Sequence, residues 1–399
     1  MRVLISTWSL QVGGGEVLAM NLAAELYRRG HEVFVFNQHA ELVDPALVAR
    51  LLPQGVKVLS MADNPISSFW AYKINALQQR LGRPARFYQR RQQAYLAECL
   101  RRYQIEVVSS HATVSDTICA PLAKQFGIPL VITEHGEYNK FLLEGRRDFL
   151  PILQAAQRIL TVSYYCQHNL EQAFPELPTI ETVYNGVVTE AHDAAEVRKQ
   201  LHIPADAFVF GMVARGREDK GWEYAIKAFQ RVKAEVKPKG QPLYLVLVGG
   251  SPYLQQLAAK YMEDTTIIFT GQVPNPDFYV ACFQVGLLPT YFRAEALPLA
   301  VIEYMVSGKP SIATQVGGIP ELLEPPTGPT GLLVPIESAT YTPNLPALTA
   351  AMQQYYEQPD LYTSHASNAL QASRQFMMAT CATKYEHAFQ TSVSSYFNK

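Results

Sequence analysis

No stretch of eighteen uninterrupted apolar residues occurs in the 399-residue chain, so no membrane-spanning helix is expected. Cysteine is scarce: Cys99, Cys119, Cys166, Cys282 and Cys381 are odd in number, scattered and free of any Cys-x-x-Cys spacing. That excludes a disulfide framework or zinc site of the usual spacing and favours reduced, buried thiols in a cytosolic compartment. Neither sign of charge dominates, with 34 Lys and Arg against 35 Asp and Glu, which speaks against nucleic acid as a partner. There is no fixed-period repeat and no low-complexity tract. The first residues, Met1-Arg-Val-Leu-Ile-Ser6, are apolar too briefly for a signal peptide and read as a first strand.

What is present is alternation. Short aliphatic runs stand at Val3–Ser6, Glu32–Phe36, Val56–Met61, Val107–Ser110, Leu130–Thr133 and Ile159–Val162, with helical periodicity between several of them, as in Glu16–Arg29. A second series follows at Phe208–Val213, Leu243–Val248, Thr266–Phe269, Val285–Leu288, Ser311–Ala313 and Leu332–Val334, with helices expected over Trp222–Val236 and Ala296–Val306. The length exceeds that of a usual single core, so the expectation is α/β: two doubly wound Rossmann-like domains facing each other across a cleft. The first domain is expected over residues 1–184 and the second over 185–378, with the turn Asn185-Gly186 at the crossing. Residues 379–399 are expected to form a helix that crosses back to the first domain.

Strand one runs into Gly13-Gly14-Gly15-Glu16 and then a helical pattern. Glycines there let backbone approach a ligand, and the free amides of a helix start favour an anion such as phosphate. The Gly-x-Gly-x-x-Gly spacing of dinucleotide sites is missing from the first domain. In the second domain, Arg215 follows a strand and Lys220 precedes a helix, two cations able to clamp a diphosphate. Arg217 reads as the solvated neighbour, with Glu218 and Asp219 available to pair locally. Glu295 and Glu303 stand eight positions apart, so one can sit at a helix mouth while the other reaches a different part of an elongated ligand.

Together these motifs resemble a retaining glycosyltransferase of family 4, with the two-Rossmann GT-B architecture. The likeness runs through Gly13-Gly14-x-Glu16, Asn185-Gly-Val187, Arg215 with Lys220-Gly221, and Val248-Gly249-Gly250. It continues through Glu295 to Glu303, Gly308-Lys-Pro310 and Val316-Gly-Gly-Ile-Pro-Glu321. The resemblance implies that Arg215 and Lys220 bind a donor diphosphate and that Glu295, with the amides of Ala296 and Leu297, contacts the donor sugar. It implies that Glu303 holds the ribose hydroxyls and that backbone near Leu299, with Gly13 and Gly14, meets the phosphates. His135, after Leu130–Thr133 and beside donor sugar and acceptor, is implied as catalytic together with Glu295, with Glu134, Glu137 and Tyr138 as acceptor-side candidates.

The implied reaction is front-face transfer from a UDP- or GDP-sugar to a saccharide or lipid-linked acceptor, in cell-surface polysaccharide or glycolipid assembly. The chain has no Asp-x-Asp triplet, so no metal and no cofactor is expected. Two positions depart from the family pattern: Gly216 stands where a bulky aliphatic is usual, and Ala296 where glycine is common. A sugar-nucleotide epimerase or hydrolase of the same fold, or a non-catalytic relative, are the rival readings.

Between residues 73 and 102 lie Lys73, Arg80, Arg83, Arg86, Arg90, Arg91, Arg101 and Arg102 against Glu98 alone, a local +7 interleaved with Tyr72, Phe87, Tyr88 and Tyr95. Such a segment fits an anionic membrane surface, and a cytoplasmic location at the inner face of the plasma membrane. It equally fits a solvated helix pair or an acidic acceptor.

Overall fold

A computed structural model describes residues 1–63, 65–84, 86–188, 190–235 and 241–397. Val236, the last residue of one expected helix, and residues 398–399 of the expected C-terminal helix lie outside the described residues. The chain divides into two compact units, Met1–Gly186 with Met378–Lys399, and Val187–Met377.

The first unit holds seven parallel strands: β1 (Arg2–Thr7), β2 (Glu32–Asn37), β3 (Lys57–Ser60), β4 (Val107–Ser110), β5 (Leu130–Glu134), β6 (Arg158–Thr161) and β7 (Ile180–Thr182). Their order is β3-β2-β1-β4-β5-β6-β7. Alternate side chains go to opposite faces of a strand, and here both faces are covered. Leu4, Phe34, Phe36, Val108 and Ile132 enter one core. Val3, Ile5, Val33, Val35, Val107 and Val131 enter another. The helix Gly14–Arg28 lies over the second core, and so does the C-terminal helix Met378–Phe397, through Ala382, Tyr385 and Phe389. Arg29 bonds Ala379 O, Thr383 and Glu386 of that helix, and Tyr385 donates to Thr133 Oγ1 at 3.2 Å, bracing the end of β5.

The second unit repeats the plan with β8 (Phe208–Val213), β9 (Leu243–Val248), β10 (Ile267–Gly271), β11 (Val285–Leu288), β12 (Ser311–Thr314) and β13 (Gly331–Val334). The order β10-β9-β8-β11-β12-β13 is again parallel, and it reverses direction between β8 and β11. Ligands in such sheets bind beyond the carboxyl ends of the strands at that reversal. Trp222, fully buried at the start of the helix Trp222–Glu235, donates its indole N–H to Arg215 O at 3.2 Å and so anchors the loop after β8.

Two differences from the sequence reading have physical causes. β7 was not expected, because its three residues Ile-Glu-Thr carry no apolar run. The helix expected from Ala296 begins at Leu299, since Pro298 disfavours helical backbone in the residue before it and itself serves as the N-cap. Glu295 therefore stands in a loop. All five cysteines are buried and unbridged.

Candidate active site

In the second unit, three loops converge beyond the sheet. Gly221 has φ +83°, and a Cβ there would lie 1.9 Å from Pro289 O, so the Glu218–Lys220 turn presses against the chain leaving β11 as only glycine permits. Asp219 O accepts from Tyr291 N at 2.8 Å and Thr290 Oγ1 at 3.1 Å. That stitching brings Lys220 Nζ to 2.5 Å from Glu295 Oε2, with Thr290 Oγ1 also 3.2 Å from the same oxygen. Both members of the pair are buried, at 7% and 8% exposure. The loop after β12 completes the cluster: Gly317, at φ +56°, would place a Cβ 1.7 Å from Glu295 O, and Gly318 N–H donates to that oxygen at 3.1 Å.

The pair sits beside a row of unmatched donors. The amides of Ala296, Leu297, Leu299 and Ala300 have no acceptor among the described residues, although Ala296 and Leu297 are buried. Such amides at the start of the helix Leu299–Val306 favour a negatively charged ligand. Arg215 is exposed and its side chain has no partner among the described residues. Arg217 instead pairs with Asp219 and stands 4.8 Å from the Phe292 ring centre. The departure at Gly216 is explained by packing, since a Cβ there would meet Ser251 Oγ at 2.4 Å.

Glu303 lies farther along that helix, and its carboxylate has no hydrogen-bond partner among the described residues. Burial, with Asp277 nearby adding to it, pushes its carboxyl up to about 7. A partly enclosed carboxylate left without donors suits a ligand that brings its own, such as a vicinal diol. Among the described residues, no three His, Cys, Asp or Glu side chains gather as a metal site.

In the first unit, Gly13 caps the helix Gly14–Arg28 in an extended conformation without any side-chain bond, and the amides of Gly14, Gly15 and Glu16 have no acceptor among the described residues. His135 lies just past β5, against this turn: a Cβ at Gly15 would stand 3.5 Å from its ring. Burial lowers its imidazole to about 4, so the ring is neutral at pH 7.

Two acceptor-side candidates need correction. Glu134 is 1% exposed and its carboxylate accepts from Tyr138 N, Asn139 N and Asn139 Nδ2 at 2.9–3.1 Å, which ties down the helix Glu137–Leu143. Tyr138 is equally enclosed and donates to Asp116 Oδ2 at 2.6 Å. Both are structural, because their polar atoms are already committed inside the fold. Glu137 remains exposed and accepts from Thr113 Oγ1 at 2.7 Å. The sequence reading passed over Thr290, Phe292 and His111. All three follow strands β4 or β11, the one signal that could have found them.

Comparison with known proteins agrees with this layout. Residues 12–191 match the family model described as Glycosyltransferase Family 4, and residues 207–358 match Glycosyl transferases group 1. N-acetyl-alpha-D-glucosaminyl L-malate synthase of Bacillus anthracis is 24% identical over 344 residues, 82% of each chain. Among solved structures, sucrose-phosphate synthase from Thermosynechococcus elongatus superposes with a TM-score of 0.74 at 19% identity over 99% of each chain. Anabaena HepE in complex with UDP gives 0.73 at 20% identity, covering 98% of this chain and 100% of that one.

Proposed function

The chain belongs to the family 4, group 1 glycosyltransferases, enzymes of GT-B architecture that take a sugar from a nucleotide sugar; from that premise we propose how it works. The reaction is transfer of a hexose from a UDP- or GDP-sugar to an acceptor hydroxyl, with retention and without a metal, in cell-surface polysaccharide or glycolipid assembly. The observation that carries this is the buried Lys220–Glu295 pair beside four unmatched amides at the reversal of the second sheet.

Lys220 and Arg215 would take the diphosphate, assisted by the amides of Leu299 and Ala300. Glu295, with the amides of Ala296 and Leu297, would hold the sugar, and Glu303 the ribose diol. From the first unit, His135 would meet a sugar or acceptor hydroxyl and the amides of the Gly13-Gly14 turn would meet phosphate. The bond from the anomeric carbon to the phosphate oxygen breaks as the acceptor oxygen bonds to the same face. The acceptor's proton passes to the departing phosphate oxygen. Fixed cations stabilise charge growing on that leaving group, the task a metal performs elsewhere. The test is the product's anomeric configuration, read by NMR with EDTA present. Retention at undiminished rate is expected; inversion, or turnover that EDTA abolishes, contradicts the proposal.

A second surface supports a reading of where the enzyme works. In the helix Pro65–Arg80 and just beyond it, Phe69, Trp70, Leu77 and Leu81 are 54–61% exposed. At 100° per residue, Phe69, Trp70, Lys73, Leu77 and Arg80 share one face, while buried Ala71 lies on the other. All eight cations of the segment are exposed. We propose that this face rests on an anionic bilayer at the cytoplasmic side, presenting the enzyme to a lipid-linked acceptor. No helix of the described residues is long and apolar enough to cross a membrane. Of the three tryptophans, Trp222 is fully buried, Trp8 is partly buried and Trp70 is 59% exposed, so contact should appear as a blue-shifted emission with phosphatidylglycerol vesicles that 1 M salt weakens and that Trp70→Phe removes. Unchanged emission and no cosedimentation would sink this placement.

A further inference from the structure

His111 follows β4 as His135 follows β5, and it has no role so far. It is 4% exposed. Its Nδ1 lies 3.2 Å from His135 Nε2, and its Nε2 lies 3.0 Å from Ser109 Oγ. Tyr385 stacks with the His111 ring at 5.9 Å between centres and 19° between planes, which holds the imidazole in register. Ser109, His111 and His135 thus form a line of hydrogen bonds leading from the core to the glycine turn.

Proton counting gives the line a direction. Burial lowers His111 well below the usual histidine value and His135 to about 4, so at neutral pH each ring carries one proton. The Ser109 hydroxyl is fully buried, and His111 Nε2 is its one polar partner among the described residues. A buried hydroxyl proton left unpaired forfeits its hydrogen bond to water with nothing in return, so Ser109 donates to His111 Nε2. His111 must then carry its proton on Nδ1, where it donates to His135 Nε2. The remaining proton of His135 is forced onto Nδ1, an atom with no partner among the described residues. Which ring nitrogen bears the proton is set by what the other one bonds.

We propose that Ser109 and His111 are positioning residues that lock His135 as its Nδ1–H tautomer, so that His135 offers a sugar or acceptor oxygen a hydrogen-bond donor and not a base. The conclusion about the tautomer stands on the first unit alone, whereas its effect on transfer rests on the role given to His135 above. A ring with a conjugate acid near 4 is a weak proton acceptor at pH 7, while its N–H donates undiminished. This matches a reaction in which the leaving phosphate takes the acceptor's proton.

The experiment is two-bond ¹H–¹⁵N correlation NMR of the full-length protein with ¹⁵N-histidine, the His135 signals being assigned through His135→Asn. The wild type should show His135 protonated at Nδ1 at pH 7. In Ser109→Ala the reason for that direction is gone, and the His135 proton should move to Nε2 or divide between the two sites. Donor turnover should fall about tenfold or more in kcat with KM changed less than about threefold, the split expected when a tautomer rather than a fold is lost. Ser109→Thr, which keeps the hydroxyl on a strand, should restore both readouts. A wild-type His135 protonated at Nε2 overturns the proposal whatever the variants do. A tautomer unmoved by Ser109→Ala removes Ser109 from it. A moved tautomer with unchanged kcat overturns the consequence for transfer, and with it the role of His135.

Discussion

Lys220→Met is expected to abolish transfer and to lower the unfolding free energy by about 3–5 kcal/mol, because it strands Glu295 as a buried carboxylate without its cation. The companion variant separates the two effects. Lys220→Met with Glu295→Leu removes both charges, so most of the stability should return, while donor binding and turnover remain lost. Urea unfolding and a coupled nucleotide-release assay check this directly. An active double variant would show that the pair is a structural strut alone. A single variant as stable as the wild type would mean that Glu295 is not enclosed as described.

Glu303→Gln should make the free protein more stable and the enzyme worse. The carboxyl stands near 7 in the folded protein against an ordinary 4.5, so the folded state binds more protons than the unfolded chain between those values. Its contribution to stability is fully present below about 4.5, falls as pH rises through the window, and becomes a constant penalty above about 7. Replacing the carboxyl by an amide lifts that penalty, by an amount on the order of 3 kcal/mol at pH 8 and far less at pH 5. The same change removes the acceptor for a ribose diol and should weaken binding of the nucleoside part by about 1–3 kcal/mol. Wild-type affinity for the donor should likewise decline as pH drops below 7, since a protonated carboxyl accepts poorly. Melting curves at the two pH values, with and without donor, read both halves. A variant that loses stability at pH 8, or binds donor as before, contradicts the assignment.

Much of this architecture was legible because strands buried on both faces cannot avoid apolar runs: Phe208–Val213, Leu243–Val248, Val285–Leu288 and Val107–Ser110 begin and end in the structure where the sequence placed them. β7 escaped because an edge strand of three residues needs no such run. Arg215 and Lys220, the cations proposed for the diphosphate, were legible as candidates because they flank a strand end and a helix start. The partner of Lys220 was not: that it reaches Glu295, seventy-five positions on, depends on Gly221 and Gly317 allowing chain approaches that no local pattern announces. Glu134 and Tyr138 show the opposite limit. Their residue types fit an acceptor site, but whether a carboxylate faces a ligand or caps the next helix is decided by the turn at Gly136, with φ +103°. His111 went unremarked because one histidine among nine says nothing until β4 and β5 are known to be neighbours.

The most direct test of the central claim, that the loops after β8, β11 and β12 hold a nucleoside diphosphate without a metal, is thermal stabilisation across a panel of nucleoside diphosphates and nucleotide sugars, with and without EDTA. One donor class should raise the midpoint by an amount equivalent to about 2.7 kcal/mol at a hundred times its dissociation constant, unaffected by EDTA and lost in Arg215→Ala. A flat panel, or a shift that Arg215→Ala leaves intact, would contradict it.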